Sequence, residues 1–554
     1  MWFEECENFA ELWRGLPYYL LIVLPIFIAV SPVSPVIASH EIPVYRMHQY
    51  DLHGVAHGCR SAAIQLEAKT LNTWKTSRHC VITRMSDLTP DLFHVIKNKA
   101  GALIVMLPKD MQNLSDEEQQ HIYSIEMAMS SDETSIPVYF SPWNTDLQRV
   151  LDDLGNGNIS EEKASSELKS LMNTISASGY QVVVGSGIPS QNNNIKIATI
   201  HGKLSGTGSE EKLPTIALVA HYDSSSIITE LSSGAESNAS GVSMLLEIAR
   251  IFSSLYSISK SRPKYNIVFV LTGAGKLNYH GSKKWLEDQF DGSDNSIIQD
   301  ASYVICLEAV SKYNNIYLHV SKPPKDNSFG NLFYKELNYV AKTIDNTTKV
   351  EGVHKKINLA EESLAWEHER YSIRRLPAAT LSTLKTYDDP GRLSILDVIN
   401  DAEIDRLYKN TKIVAESLAR HLYNLNTTQI LSSPVDVSKE SLTMWMNYLT
   451  SQSRSVPLLA DKNNPLVKSM EEVMTRYLND VKVSYHSSDK RDPEFVFYDV
   501  TKATMNVYSV KPAIFDLFIT LLVVIYLGIV YLSIQHFPKL YSLSVKLSVK
   551  NKVA

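Results

Sequence analysis

The stretch VAHYDSSSIITELSSGAESNASGVSMLLEIAR, residues 219–250, decides the fold. Its first residues close an apolar run, TIALVAHY, of the kind that forms a strand buried on both faces. His221 and Asp223 follow at the carboxyl end of that strand, where ligands gather in α/β sheets. A turn of small residues then feeds GVSMLLEIARIFSSL, where Val242, Leu245, Leu246, Ile248, Ala249 and Phe252 make one broad apolar helical face.

The same alternation continues on either side. YNIVFVLTG, SYVICLEAV and NIYLHVS read as further buried strands with helices between them. This pattern implies an α/β domain with a mostly parallel central sheet and helices on both faces. From about 44 to 205, VYRMHQYDL, CVITRM, AGALIVMLP, IPVYFSP, YQVVVG and IKIATIHGKL read as shorter strands of a smaller N-terminal α/β lobe. DEEQQHIYSIEMAM and SEEKASSELKSLMNTIS read as its helices, and GNGNIS (155–160) as a loop where one part hands over to the next. From about 436 to 510 the chain reads as helical. The expected division is a leader at 1–39, the N-terminal lobe at 40–190, the main α/β domain at 191–430 and a helical juxtamembrane region at 431–512.

The two ends carry their own signals. AIFDLFITLLVVIYLGIVYLSI (513–534) has one charge, Asp516, and is long enough to span a bilayer as a helix. The tail at 535–554 carries Lys539, Lys546, Lys550 and Lys552 and no acid, as the positive-inside rule expects of a short cytosolic end. GLPYYLLIVLPIFIAV (15–30) is a short apolar core preceded by an acidic segment, so either a cleaved signal peptide or an uncleaved anchor fits. Both place residues 40–510 in the secretory lumen, the tail in the cytosol. The net charge of −6 and the absence of a basic stripe exclude a nucleic-acid footprint. Cys59, Cys80 and Cys306 allow at most one internal bridge, with Cys59 and Cys80 nearest in sequence. Sequons stand at Asn113, Asn158, Asn238, Asn346 and Asn426, of which Asn426 has the most favourable polar setting. A glycan on Asn238 would obstruct the mouth of any site beside Ser237.

Five motifs in order, LVAHYD, GAESNASGVSMLLEIAR, YNIVFVLTGAGKLNYHGS, VICLEAV and WEHERYSIRRLPA, resemble the M28 aminopeptidase-like family, which includes the transferrin-receptor and nicastrin ectodomains. The likeness covers roughly residues 195–420. It implies a two-zinc hydrolase layout, in which a bridging carboxylate offsets the repulsion of two dications and a Glu takes the proton of the attacking water. On this sequence the first His falls on His221 and its orienting partner on Asp223. The bridging carboxylate falls on Ser237, the base on Gly275 and the next ligand on Lys276. Glu308 keeps a carboxylate, and the final His is missing where Tyr387, Asp388 and Asp389 stand. The expectation is a degenerate site with neither catalytic nor metal-binding residues and no cofactor. Lys276 is expected either to sit where a zinc would and pair with Glu308 or Asp223, or to lie on a surface loop. His280, His354 and His368 are expected to be structural; no HExxH helix, G-x-S-x-G elbow or P-loop is present.

VHKKINLAEESLAWEHERYSIRRLPA, HVSKPP, DKRDPEFVFYD and VKPAIFDL narrow the likeness to the nicastrin-like branch, single-pass type I membrane glycoproteins of the endoplasmic reticulum. That resemblance implies a non-catalytic subunit that partners a Nodal modulator-like lumenal protein and a small multipass membrane protein beside the Sec61 translocon, supporting the biogenesis of multipass membrane proteins. Two other readings stay open: a lumenal receptor for peptide or protein ends, and a residual zinc aminopeptidase.

Overall fold

The computed structural model describes residues 39–542, except 163–178 and the short positions 132, 193, 209–212, 261, 292–295, 300, 362, 428–429, 434, 490, 492, 511–512 and 540. The expected leader, the helix at 160–176 beyond Glu162 and the end of the basic tail lie outside the described residues.

The centre is an eight-stranded mixed sheet. Asn266–Thr272, Thr215–His221, Ala301–Leu307 and Ala378–Ser382 run parallel, side by side in that order. Antiparallel pairings flank this parallel core, with Ile197–Leu204 on one side and Ile316–Val320 on the other. Period-two alternation divides each core strand between two hydrophobic layers. Ile216, Leu218, Phe269, Ile305 and Leu307 face one layer with the helix Gly241–Ser257. Ala217, Val219, Val268, Val270 and Cys306 face the other, against Trp285 and Tyr371. Helices therefore cover both faces, and each fully buried Leu, Ile or Phe contributes about 1.5–3 kcal/mol relative to exposure.

The N-terminal lobe is built around a closed seven-stranded barrel. His40–Arg46 begins it, and the strand beside it is Lys502–Val510, from the far end of the chain, paired antiparallel from His40↔Val507 to Tyr45↔Lys502. The region 431–512 is thus not the helical segment expected. After the helices Lys439–Thr450 and Pro465–Tyr477, Asn479–His486 joins the edge of the central sheet, Phe495–Tyr498 enters a small five-stranded sheet, and Lys502–Val510 closes the barrel. The physical signal is alternation: Val481, Val483 and Tyr485 pack on the main core while their neighbours face outward. GNGNIS is likewise not a loop, because the helix Thr145–Glu162 runs through it. Leu147, Val150 and Leu151 form the stripe that seats that helix on the barrel core.

Cys59 and Cys80 are unpaired, as is Cys306. Cys59 packs in one core cluster of the lobe and Cys80 in another. The lobe is tied to the central domain by Glu126, whose carboxylate accepts from Ile395 N at 2.9 Å and from Ser394 Oγ. Burial pushes Glu126 up to about 7 despite both donors.

At the C-terminus, Ala513–Gln535 is helical and leaves Leu517, Leu521, Val524, Leu527 and Tyr531 exposed. Among the described residues no helix is long and apolar enough to cross a membrane. The side chains of 513–516 and of several later positions in this helix lie outside that set. The span expected at 513–534 therefore stays an expectation.

Candidate functional site

Because the four core strands run in one direction, their carboxyl ends deliver residues to one place. His221 ends the strand Thr215–His221, the loop with Gly275 and Lys276 follows Asn266–Thr272, and Glu308 directly follows Ala301–Leu307. Ser237 arrives from the irregular turn before the helix Gly241–Ser257.

His221 is fully buried, and neither ring nitrogen has a hydrogen-bond partner. Its Nδ1 lies 3.6 Å from Glu367 Oε2. Asp223, expected to orient that imidazole, instead accepts from the backbone N–H groups of Gly275 at 2.7 Å and Lys276 at 2.9 Å. It fastens the loop, not the histidine. Gly275 fits because the His221 ring fills its side-chain space: a Cβ there would stand 2.3 Å from His221 Cγ.

The Lys276 side chain is only 5% exposed, so it is not a surface loop residue. Its Nζ donates to Ser237 Oγ at 2.5 Å and stands 3.8 Å from Glu308 Oε1. Ser237 in turn donates to the same Glu308 oxygen at 3.3 Å. The principal partner of Glu308 is a residue that motif reading passed over. Arg392 donates to Glu308 Oε1 from Nη2 at 2.6 Å and from Nε at 3.0 Å. Arg392 also donates to Tyr279 Oη at 2.8 Å and stacks over Trp366 at 4.6 Å. It stands on the turn Pro390–Leu393, where Asp389 accepts from Gly391 N, in the DDPGR segment that lacks the final His. An arginine there, three residues beyond the paired acids, was the available clue.

The electrostatics follow from this packing. Burial alone would raise the Glu308 carboxyl, but Arg392, His221 and Lys276 together outweigh it and hold the group down to about 2. Burial pushes the Lys276 ammonium down to about 8, against the pull of Glu308. Burial would also lower Arg392, yet Glu308 and Tyr279 raise it above its ordinary value.

A second carboxylate layer holds Ser237 in place. Asp397 accepts from the N–H groups of Glu236 at 2.7 Å and Ser237 at 3.0 Å. Glu236 accepts from Ser311 N, Lys312 N and Thr383 Oγ1. Burial raises both carboxyl groups. Neither acid, nor Glu367, was singled out by sequence; Glu367 was visible within WEHER, where its bonds to Thr272 Oγ1 and Ser282 Oγ could not be read.

This donor set does not fit a zinc pair. Among the described residues no three His, Cys, Asp or Glu side chains converge as a metal site. Two cations already meet the Glu308 carboxylate, and a Zn²⁺ ion beside them would face like charge without an anionic bridge.

Asn238 is fully buried next to Ser237. Its Nδ2 donates to the carbonyls of His221 at 3.0 Å and Leu307 at 2.9 Å, and its Oδ1 accepts from Gly241 N and Ala309 N. A glycan cannot be accommodated there, which corrects that candidate. Asn113, Asn346 and Asn426 are exposed, and the Asn158 side chain is outside the described set. His280, His354 and His368 bond to Glu494, the Ser321 carbonyl and Thr380.

The Peptidase family M28 profile matches residues 199–357. The chain is 41% identical to the Homo sapiens protein "BOS complex subunit NCLN" over 560 residues, covering 99% of each. It is 40% identical to the Danio rerio protein of the same description, covering 97% of each. Identity to Caenorhabditis elegans "Nicalin" is 30%, over 94% of this chain and 95% of that one. The crystal structure of the gamma-secretase component nicastrin shares the fold, with a TM-score of 0.57 at 12% identity over 86% of this chain and 100% of that chain. Carrying this likeness over essentially its whole length, on an M28 peptidase-like core, the chain belongs to the nicalin family.

Proposed function

We propose that the chain is a non-catalytic, peptidase-like subunit of an endoplasmic-reticulum membrane complex. The whole-length match to relatives described as BOS complex subunits carries the assembly reading. The Lys276 and Arg392 cations on Glu308, with Gly275 at the position of the base, support its non-catalytic half. A glycine side chain cannot take a proton from an attacking water. In this reading 513–534 anchors the chain across the membrane, the bulk is lumenal, and the exposed apolar side chains of Ala513–Gln535 face lipid or a partner helix. The partners are a Nodal modulator-like lumenal protein and a small multipass membrane protein beside the Sec61 translocon, and the complex serves the biogenesis of multipass membrane proteins.

The test is affinity isolation of the full chain from membranes in mild detergent. Co-isolation of those partners with no aminopeptidase activity is the expected result. Stoichiometric zinc with chelator-sensitive hydrolysis, or isolation of the chain alone, overturns the proposal. A cavity between the lobe and the central domain favours a second reading, a receptor for peptide ends, without conflict with the first.

A further inference from the structure

A cavity of about 440 Å³ opens between the N-terminal lobe and the central domain, and its floor is the site described above. The size falls within the range of small-ligand pockets. Met47, Tyr50 and Leu52 line it from the lobe, and Leu277, Leu364 and Leu393 from the domain. Lys276, Tyr279, Glu308 and Arg392 lie at its base.

The hydrogen-bond inventory of that base decides what it can hold. Glu308 is engaged on both oxygens: Oε1 accepts from Arg392 and Ser237, and Oε2 accepts from Tyr279 Oη at 3.2 Å. Arg392 is spent on Glu308, Tyr279 and the carbonyls of Tyr387 and Ala365. Lys276 is not spent. An ammonium has three N–H donors, and among the described residues Ser237 Oγ is its one acceptor within hydrogen-bond distance. Two imidazoles lining the same cavity add unmatched capacity, since His48 Nε2 and His57 Nδ1 are buried without a partner. Of the other acids lining the cavity, Glu126 is held by Ser394 and Ile395, Asp389 by Lys312 and Gly391, and Asp388 is exposed to solvent. At the base an incoming amine would meet two cations, whereas an incoming anionic acceptor would find the ammonium.

We propose that this cavity binds the free carboxyl end of an apolar molecule, its carboxylate on Lys276 and its apolar group between Tyr50, Leu52 and Leu277. The proposal rests on the non-catalytic reading of the same site. It reverses the polarity that an aminopeptidase layout would give, because the end selected is the carboxyl and not the amine. A peptide C-terminus and a small organic acid share this chemistry.

The experiment measures binding to the full chain in detergent by thermophoresis, using N-acetyl-Leu-Phe as the free acid, its C-terminal amide, Leu-Phe amide with a free amine, and 3-phenylpropionate. The free acid is expected to bind at least about tenfold tighter than its amide, a difference of ~1.4 kcal/mol. Lys276→Met should erase that preference. Leu393→Glu changes an exposed rim residue, so folding is retained, and it should weaken the acid several-fold while sparing the amide. The acetylated dipeptide acid binding tighter than 3-phenylpropionate assigns the site to peptide ends; equal binding assigns it to small acids. Equal affinity for acid and amide, preference for the free amine, no binding of any probe, or unchanged selectivity in either variant overturns the inference. Hydrolysis of Leu-Phe amide overturns the non-catalytic reading instead, so the two failures are distinguishable.

Discussion

Arg392 meets Glu308 through two nitrogens on a single carboxylate oxygen, at 2.6 and 3.0 Å, with the Glu308 side chain fully buried. The carboxylate survives in the interior because that guanidinium is there. Removing one member of a buried ion pair leaves an uncompensated charge and costs about 3–5 kcal/mol. Arg392→Met should therefore lower the urea midpoint of the full chain sharply, and Glu308→Gln in the same background should restore part of the loss. Glu308 is depressed, so its stabilisation is complete above the ordinary carboxylate range and is lost as pH falls toward about 2. In Arg392→Met the folded-state carboxyl loses its main depressing charge, so it should titrate at higher pH and the acid-linked loss of stability should be smaller than in the parent.

Lys276 titrates with the same sign, but as a cost of burying its charge near neutral pH. Its ammonium is pushed from the ordinary 10.5 down to about 8, so between these values the unfolded chain binds more protons than the folded one. Stability from this group accordingly rises with pH across that window. The difference in unfolding free energy between the parent and Lys276→Met, measured at pH 7.5 and 10, should shift in favour of the parent at the higher pH.

Restoring carboxylates at two positions should not restore a hydrolase. In Gly275→Glu/Lys276→Glu the new Cβ at 275 collides with the His221 ring, and Arg392 still covers Glu308. Zinc measured on the purified variant should stay well below two ions per chain, with a lowered thermal midpoint.

Asn238 and Asn426 should separate cleanly by mass spectrometry. Asn238 serves four buried partners, so its site should be unmodified, and Asn238→Ala should cost on the order of 2–4 kcal/mol through the polar groups left unmatched. Asn426→Gln should remove one glycan and leave stability within about 0.5 kcal/mol.

What could be read in the sequence follows from the range of the interactions. The strands Thr215–His221, Asn266–Thr272 and Ala301–Leu307 were legible because burial on both faces writes itself as an unbroken apolar run. Asn479–His486 and Lys502–Val510 were not, since half-buried strands near an amphipathic helix carry a weaker alternation, and their partners lie hundreds of residues away. In the site, His221 and Glu308 announced themselves by position after apolar runs. Arg392 did not, because its meaning depends on a carboxylate 84 residues earlier. Asp223 looked like a partner for the histidine and proved to be a fastener of backbone.

The pairing of His40–Arg46 with Lys502–Val510 also constrains when the protein can fold. The first-made strand of the barrel must wait for a partner synthesised some 460 positions later, while its other neighbour is ready early. At translation rates of about 5–20 residues per second that interval is roughly half a minute to a minute and a half. Through it the lobe presents an open sheet edge, a pairing hazard until it is covered. The first-made strand of the barrel is therefore the last to be finished, and its completion is timed by the segment that leads directly into the helix Ala513–Gln535.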